Sequence, residues 1–167
     1  MQFNLKPIHA DAIPEALEKA ERYRLLHEPT QAESICLDVL SVDPHHQQAL
    51  IIMLLAITDQ FGEGVSGAKR AREILPRLER EYDRGYYAGI ICERLGQAEV
   101  RAGRHGSSYS AYELLTEAMK HYEAAEHLRP AGNDDSILRW NTCARFLTRH
   151  SSLKPRPVET HQEVLGE

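Results

Sequence analysis

Aromatic residues are scarce in this chain of 167 residues, at 7%, and β-branched residues never cluster. Strands concentrate both kinds, so a sandwich or barrel is disfavoured. Long apolar runs are missing too. The longest, Ala49 to Ile57, falls well short of the roughly 20 residues a membrane-crossing helix needs. No apolar stretch of signal-peptide length follows Met1. The cysteines, Cys36, Cys92 and Cys143, are far apart, odd in number and never at metal-ligand spacing. Each sits among apolar neighbours in a helical pattern, which reads as small reduced core residues in a cytoplasmic protein. An excess of positive charge is absent as well. The net charge of −5 argues against a general nucleic-acid binder, which carries a basic footprint.

What is present suits one globular domain: 42% apolar and 27% charged residues, close to the average for soluble proteins. The acidic excess lies early. Residues 1–64 hold four Lys/Arg against ten Asp/Glu, whereas residues 65–129 hold eleven against ten. Such asymmetry describes a solvated face or orients a basic partner.

Helical periodicity runs almost throughout. Pro14 suits a first turn, with Leu17, Ala20 and Tyr23 in phase up to the His27-Glu28-Pro29 break. Thr30 and Glu33 have capping-box spacing ahead of Ala32, Cys36, Val39 and Leu40, and Asp43-Pro44 ends that helix. A third helix covers about 47–60, before the break at Phe61-Gly62-Glu63-Gly64. A fourth starts near Ser66 with Ala71, Leu75, Leu78 and Tyr82 in phase, and Pro76 predicts a kink or early stop within it. A fifth covers about 83–102, and Gly103-Arg104-His105-Gly106 turns the chain. The sixth shows Tyr112, Leu115, Met119, Tyr122 and Ala125 in phase. Asn133, Asp134 and Asp135 offer caps for a seventh with Ile137, Trp140, Ala144 and Leu147. Residues 1–12 read as an extension, 13–149 as the helical domain and 150–167 as a disordered tail. Short connections make neighbouring helices antiparallel, which gives an all-α stack of hairpins.

Two stretches repeat. Tyr23, Ala32, Cys36, Val39 and Pro44 set a spacing whose second half returns as Ala118, Tyr122, Ala125 and Pro130, while Gly89 and Gly96 supply the first half of that later copy. On these positions the chain resembles the tetratricopeptide repeat family, whose unit is 34 residues of two antiparallel helices. The resemblance covers about 13–149 and implies a right-handed stack of three degenerate hairpins plus a capping helix. It departs from the family at two places. Gly89 and Ala118 lie 29 apart where the family pattern leaves 12, so the third hairpin is expected to be lengthened by ~8 residues per helix, ~12 Å at helical rise. The register of the second unit is open, because Ala68 and Ala71 both fit its small position and Pro76 interrupts it.

The family uses its concave face for peptides or partner domains. Matching positions place Leu17, Glu21 and Arg24 there, then Ile51, Leu55 and Asp59, then Tyr86, Ile90, Glu93 and Arg94, and from the closing helix Ile137, Asn141 and Arg145. Of these, Ile51, Leu55, Tyr86, Ile90, Arg94, Asn141 and Arg145 are the candidate groove contacts. Burial of Ile51, Leu55 and Ile90 under a terminal segment is the alternative. The lengthened hairpin adds Arg101, Arg104 and Tyr109 at its tip, residue types enriched in binding hot spots. Members that clamp a chaperone C-terminus use basic and amide residues at positions occupied here by Leu17, Glu21, Ile52, Asp83 and Tyr87, so that role is rejected.

Catalytic and cofactor readings find little support. His45-His46 diverge at a helix start, His121 and His127 do not share a face, and no zinc-binding spacing occurs. Gly62-x-Gly64-x-x-Gly67 follows a helix and lacks the strand a dinucleotide fingerprint needs. The basic run from Lys69 to Arg84 is interrupted by Glu73, Glu79, Glu81 and Asp83, as in a salt-bridged helix surface. The reading is therefore a non-enzymatic adaptor with a protein or peptide partner, no cofactor, no metal, no nucleic acid and no membrane. A homodimer is left open. The alternatives are a secretion or assembly chaperone of the same repeat type, and an enzyme whose site is invisible in sequence.

Overall fold

A computed structural model describes residues 3–62 and 66–157, Ser66 by its backbone only. Among the described residues seven α-helices follow one another: α1 Ile13–Leu25, α2 Pro29–Val42, α3 Gln47–Asp59, α4 Ser66–Ile74, α5 Glu81–Ala102, α6 Ser107–Glu126 and α7 Asp135–Arg149. Short 3-10 turns occupy Ala10–Ala12 and Leu75–Arg77. No strand occurs among the described residues, so the fold is all-α with seven helices. Glu63 to Val65, which include one glycine of the Gly-x-Gly run, and residues 158–167 lie outside the described residues.

Helix ends follow local chemistry, with one departure from expectation. Thr30 is not a cap. Pro29, which needs no amide partner, takes the first position of α2, and the Glu33 side chain turns to Arg70 and Gln60 instead. The helix opened by Ser66 stops at Ile74, because Pro76 drives the backbone into a 3-10 turn. Leu78 then lies in the connection and Tyr82 in α5. That connection is tied down by Gln47, which donates to the Arg77 carbonyl at 3.3 Å and accepts from the Glu79 amide at 2.9 Å. At α7, the Asn133 side chain accepts the Asp135 amide at 2.9 Å, whereas Asp134 makes no cap bond.

Each helix packs on the next, and α1 also touches α3 as α3 touches α5. By far the largest interface is α5 on α6. These two are the longest helices, 22 and 20 residues, against 9 to 15 for the others, so the expected lengthening is present. Glycines set how closely the pair approaches. A Cβ on Gly89 would stand 2.4 Å from the Tyr122 ring, and one on Gly96 would stand 2.9 Å from Leu115.

Two apolar clusters form the interior. The first joins α1 to α4 with Ile91 of α5. The second joins Ile90 and Cys92 of α5 to Ala111, Leu115, Ala118 and Tyr122 of α6, Cys143 of α7, and Leu153. Leu55 and Tyr87 pack against both. The packed chain thus extends past α7 into the segment read as a disordered tail: Leu153 is buried, and Arg156 reaches Glu113 at 3.6 Å. At the other end Ile8, in the segment before α1, rests on the first cluster.

Candidate functional site

The last turns of α1 and α3 and the middle of α5 meet around one carboxylate. Arg24 Nε donates to Asp59 Oδ2 at 2.8 Å, and the Arg94 guanidinium takes Oδ1 of the same group. The sequence placed all three of these residues on one face, and the structure brings them together. Asp59 is the last residue of α3. Arg24 sits in the closing turn of α1, where His27 adopts left-handed backbone (φ 59°) and ends the helix. The three side chains are only 20–26% exposed.

Beside this triplet opens a depression of about 590 Å³, into which Arg24, His27, Asp59, Arg94, Gln97 and Arg101 all project. Arg94, Gln97 and Arg101 form an i, i+3, i+7 stripe along one face of α5. The lining is mostly polar and basic. Three guanidiniums face one carboxylate, in a chain whose total charge is −5.

A second polar group lies deeper. Glu93 is 2% exposed. Its Oε2 accepts from the Tyr122 hydroxyl at 2.7 Å, and its Oε1 accepts from Gln97 Nε2 at 3.1 Å and Arg139 Nη1 at 3.3 Å. Burial raises the Tyr122 phenol, and the Glu93 carboxylate beside it raises it further. Tyr86 stands 5.8 Å from the Tyr122 ring and shares Arg139 with Glu93; burial lifts its phenol, with Arg139 opposing. A buried carboxylate is costly unless paired and hydrogen-bonded. Here every oxygen has a donor, and the arrangement fastens α7 and α6 to α5.

The other expected contacts disperse. Ile90 is 1% exposed and belongs to the second core cluster, so it contacts no partner. Helix α5 faces both clusters and turns that side chain inward. Ile51, Leu55 and Tyr86 are half-buried, Asn141 is half-buried on α7, and Arg145 is exposed there. None of these lines the depression. Of the hairpin-tip residues, Arg101 faces the depression, whereas Arg104, paired with Glu99 at 3.1 Å, and Tyr109 line a separate hollow beside Arg156. His27, Gln97 and Arg139 escaped the sequence reading. Gln97 and Arg101 follow Arg94 at helical spacing, a signal that was legible, whereas nothing in the sequence pairs Arg139 with Glu93.

Among the described residues no group of three His, Cys, Asp or Glu is placed to hold a metal ion, and no helix is long and apolar enough to cross a membrane. Set beside known proteins, the chain matches no family model, no curated protein and no solved structure.

Proposed function

We propose that this chain is a non-enzymatic, cytoplasmic protein-interaction adaptor. Its hairpins would stack in the right-handed manner of tetratricopeptide repeats, with the odd-numbered helices forming the recognition face. The observation that carries the reading is the Arg24–Asp59–Arg94 link across α1, α3 and α5 beside an open depression. Residues 35 apart in sequence meet at each step of it, as equivalent positions of successive repeats would. The close seats of Gly89 and Gly96 against α6 support the same reading, because small residues at those positions carry the family resemblance. Guanidiniums, an amide and one shared carboxylate supply contacts for a peptide and no activated nucleophile. The cysteines are free and buried, in keeping with a reducing compartment.

The test is site-specific photo-crosslinking of the full chain in its native cells. A photo-reactive side chain at Leu25, 81% exposed on the rim of the depression, is expected to give a discrete protein adduct. One at Lys120, on the exposed side of α6, should not. Equal labelling from both positions, or none from Leu25, would overturn the proposal.

A further inference from the structure

We infer that the depression beside Asp59 recognises an acidic segment of a partner protein, one with carboxylates three residues apart in a polyproline II-type chain. This rests on the adaptor reading and adds the chemistry of the partner. Asp59 neutralises one unit of charge but is shared by Arg24 and Arg94, so one of those guanidiniums is left uncompensated. Arg101 is exposed and forms no ion pair among the described residues. The site therefore carries two net positive charges at neutral pH inside an acidic chain. The carbonyl ends of α1 and α3 also border the site. Each contributes at most about half a negative charge, which leaves the depression positive.

Spacing narrows the ligand. Arg94 and Arg101 are two turns apart on one face of α5, about 10.5 Å at helical rise. A peptide in the polyproline II conformation advances about 3.1 Å per residue and returns to the same face every third residue, so carboxylates three residues apart match both guanidiniums. Gln97 lies between them with its amide nitrogen committed to Glu93, and its carbonyl oxygen is placed to accept a peptide N–H. Arg94 is held in position by Asp59, and a pre-positioned guanidinium loses little freedom on binding. Long-range attraction of an acidic segment would also raise the association rate.

The experiment is calorimetric titration of the full chain with an unlabelled short peptide carrying glutamates three residues apart. The control peptide has those glutamates replaced by glutamine. The glutamate peptide should bind at least about tenfold more tightly and weaken as salt is raised. Arg101→Glu, at an exposed position with no ion-pair partner among the described residues, should keep the melting temperature and lose about tenfold in affinity. Equal binding of the two peptides, preference for a lysine-bearing peptide, or full affinity in Arg101→Glu would each overturn the inference. If the glutamate peptide fails while the Leu25 adduct persists, acidic recognition falls and the adaptor reading stands. If the adduct is absent too, both fall.

Discussion

Gly85 and Gly89 sit one turn apart on α5, yet they face different obstacles on α6. A Cβ on Gly85 would meet the Ala125 methyl at 3.5 Å, an ordinary contact, whereas one on Gly89 would stand 2.4 Å from the Tyr122 ring. Tyr122 has no exposed surface and its hydroxyl is tied to Glu93, so the ring has no free direction in which to yield. Gly85→Ala should therefore stabilise the protein by about 0.5–1 kcal/mol through helix propensity. Gly89→Ala should destabilise it by about 1–3 kcal/mol, overpacking outweighing the same gain. Urea denaturation of the two variants checks the contrast, and a like-signed change in both would refute the packing argument. The small size of Gly89 was legible as part of a spacing pattern. What it was small for was not, because the spacing gave no account of the Glu93 bond that fixes the Tyr122 ring.

Among the described residues, helix α7 is held by one ion pair, a hydrogen bond from Trp140 Nε1 to Glu123 at 2.9 Å, a narrow apolar stripe and the anchor that follows it. Arg139 satisfies one oxygen of Glu93, Cys143 is buried against α5 and α6, and Leu153 closes the end. Replacing Arg139 by Gln removes the charge facing a buried carboxylate. Because Arg139 is itself about one-third exposed, the cost should be about 1–3 kcal/mol, nearer the price of an unsatisfied group than of a fully buried pair. Hydrogen exchange should locate the loss. Amides of 135–153 should exchange faster while those of α1–α3 keep their protection, and uniform loosening would contradict the assignment. Elements were the most readable scale in the sequence, since apolar period fixes where a helix runs and which side it buries. Helix ends were read less well. Thr30 lost its role to Pro29 one residue earlier, and Glu33 found Arg70 and Gln60 on other helices. A tertiary partner of that kind overrides a local capping signal. The anchor Leu153 lay in a stretch without periodicity, where a single buried side chain leaves no pattern.

Across the whole molecule, thiols and phenols are buried in their neutral forms. Burial pushes the Cys36 and Cys143 thiols up to about 12 and raises the Tyr82, Tyr86, Tyr87 and Tyr122 phenols. In the unfolded chain these groups release protons near their ordinary values, about 9 for thiols and 10 for phenols. Between those values and the raised native ones, the native state holds more protons than the unfolded one. Their stabilising contribution is complete below about pH 9 and is lost as pH rises towards about 12. Melting temperature measured from pH 7 to 11 should be nearly level at first and then fall, and a rise above pH 9 would refute this. At this scale the sequence conveyed the all-α plan and the long third hairpin, but its groove was only partly placed. Ile90 went to the core and Arg101 went from the hairpin tip to the depression, because helical phase fixes a residue's direction and not what another helix sets in front of it.

One rod finishes both interiors: α5 lends Ile91 to the first cluster and Ile90 and Cys92 to the second. During synthesis, then, the cluster of α1 to α4 keeps an uncovered apolar edge until Ile91 of α5 arrives. An apolar edge left uncovered in this way is prone to aggregation until α5 is in place.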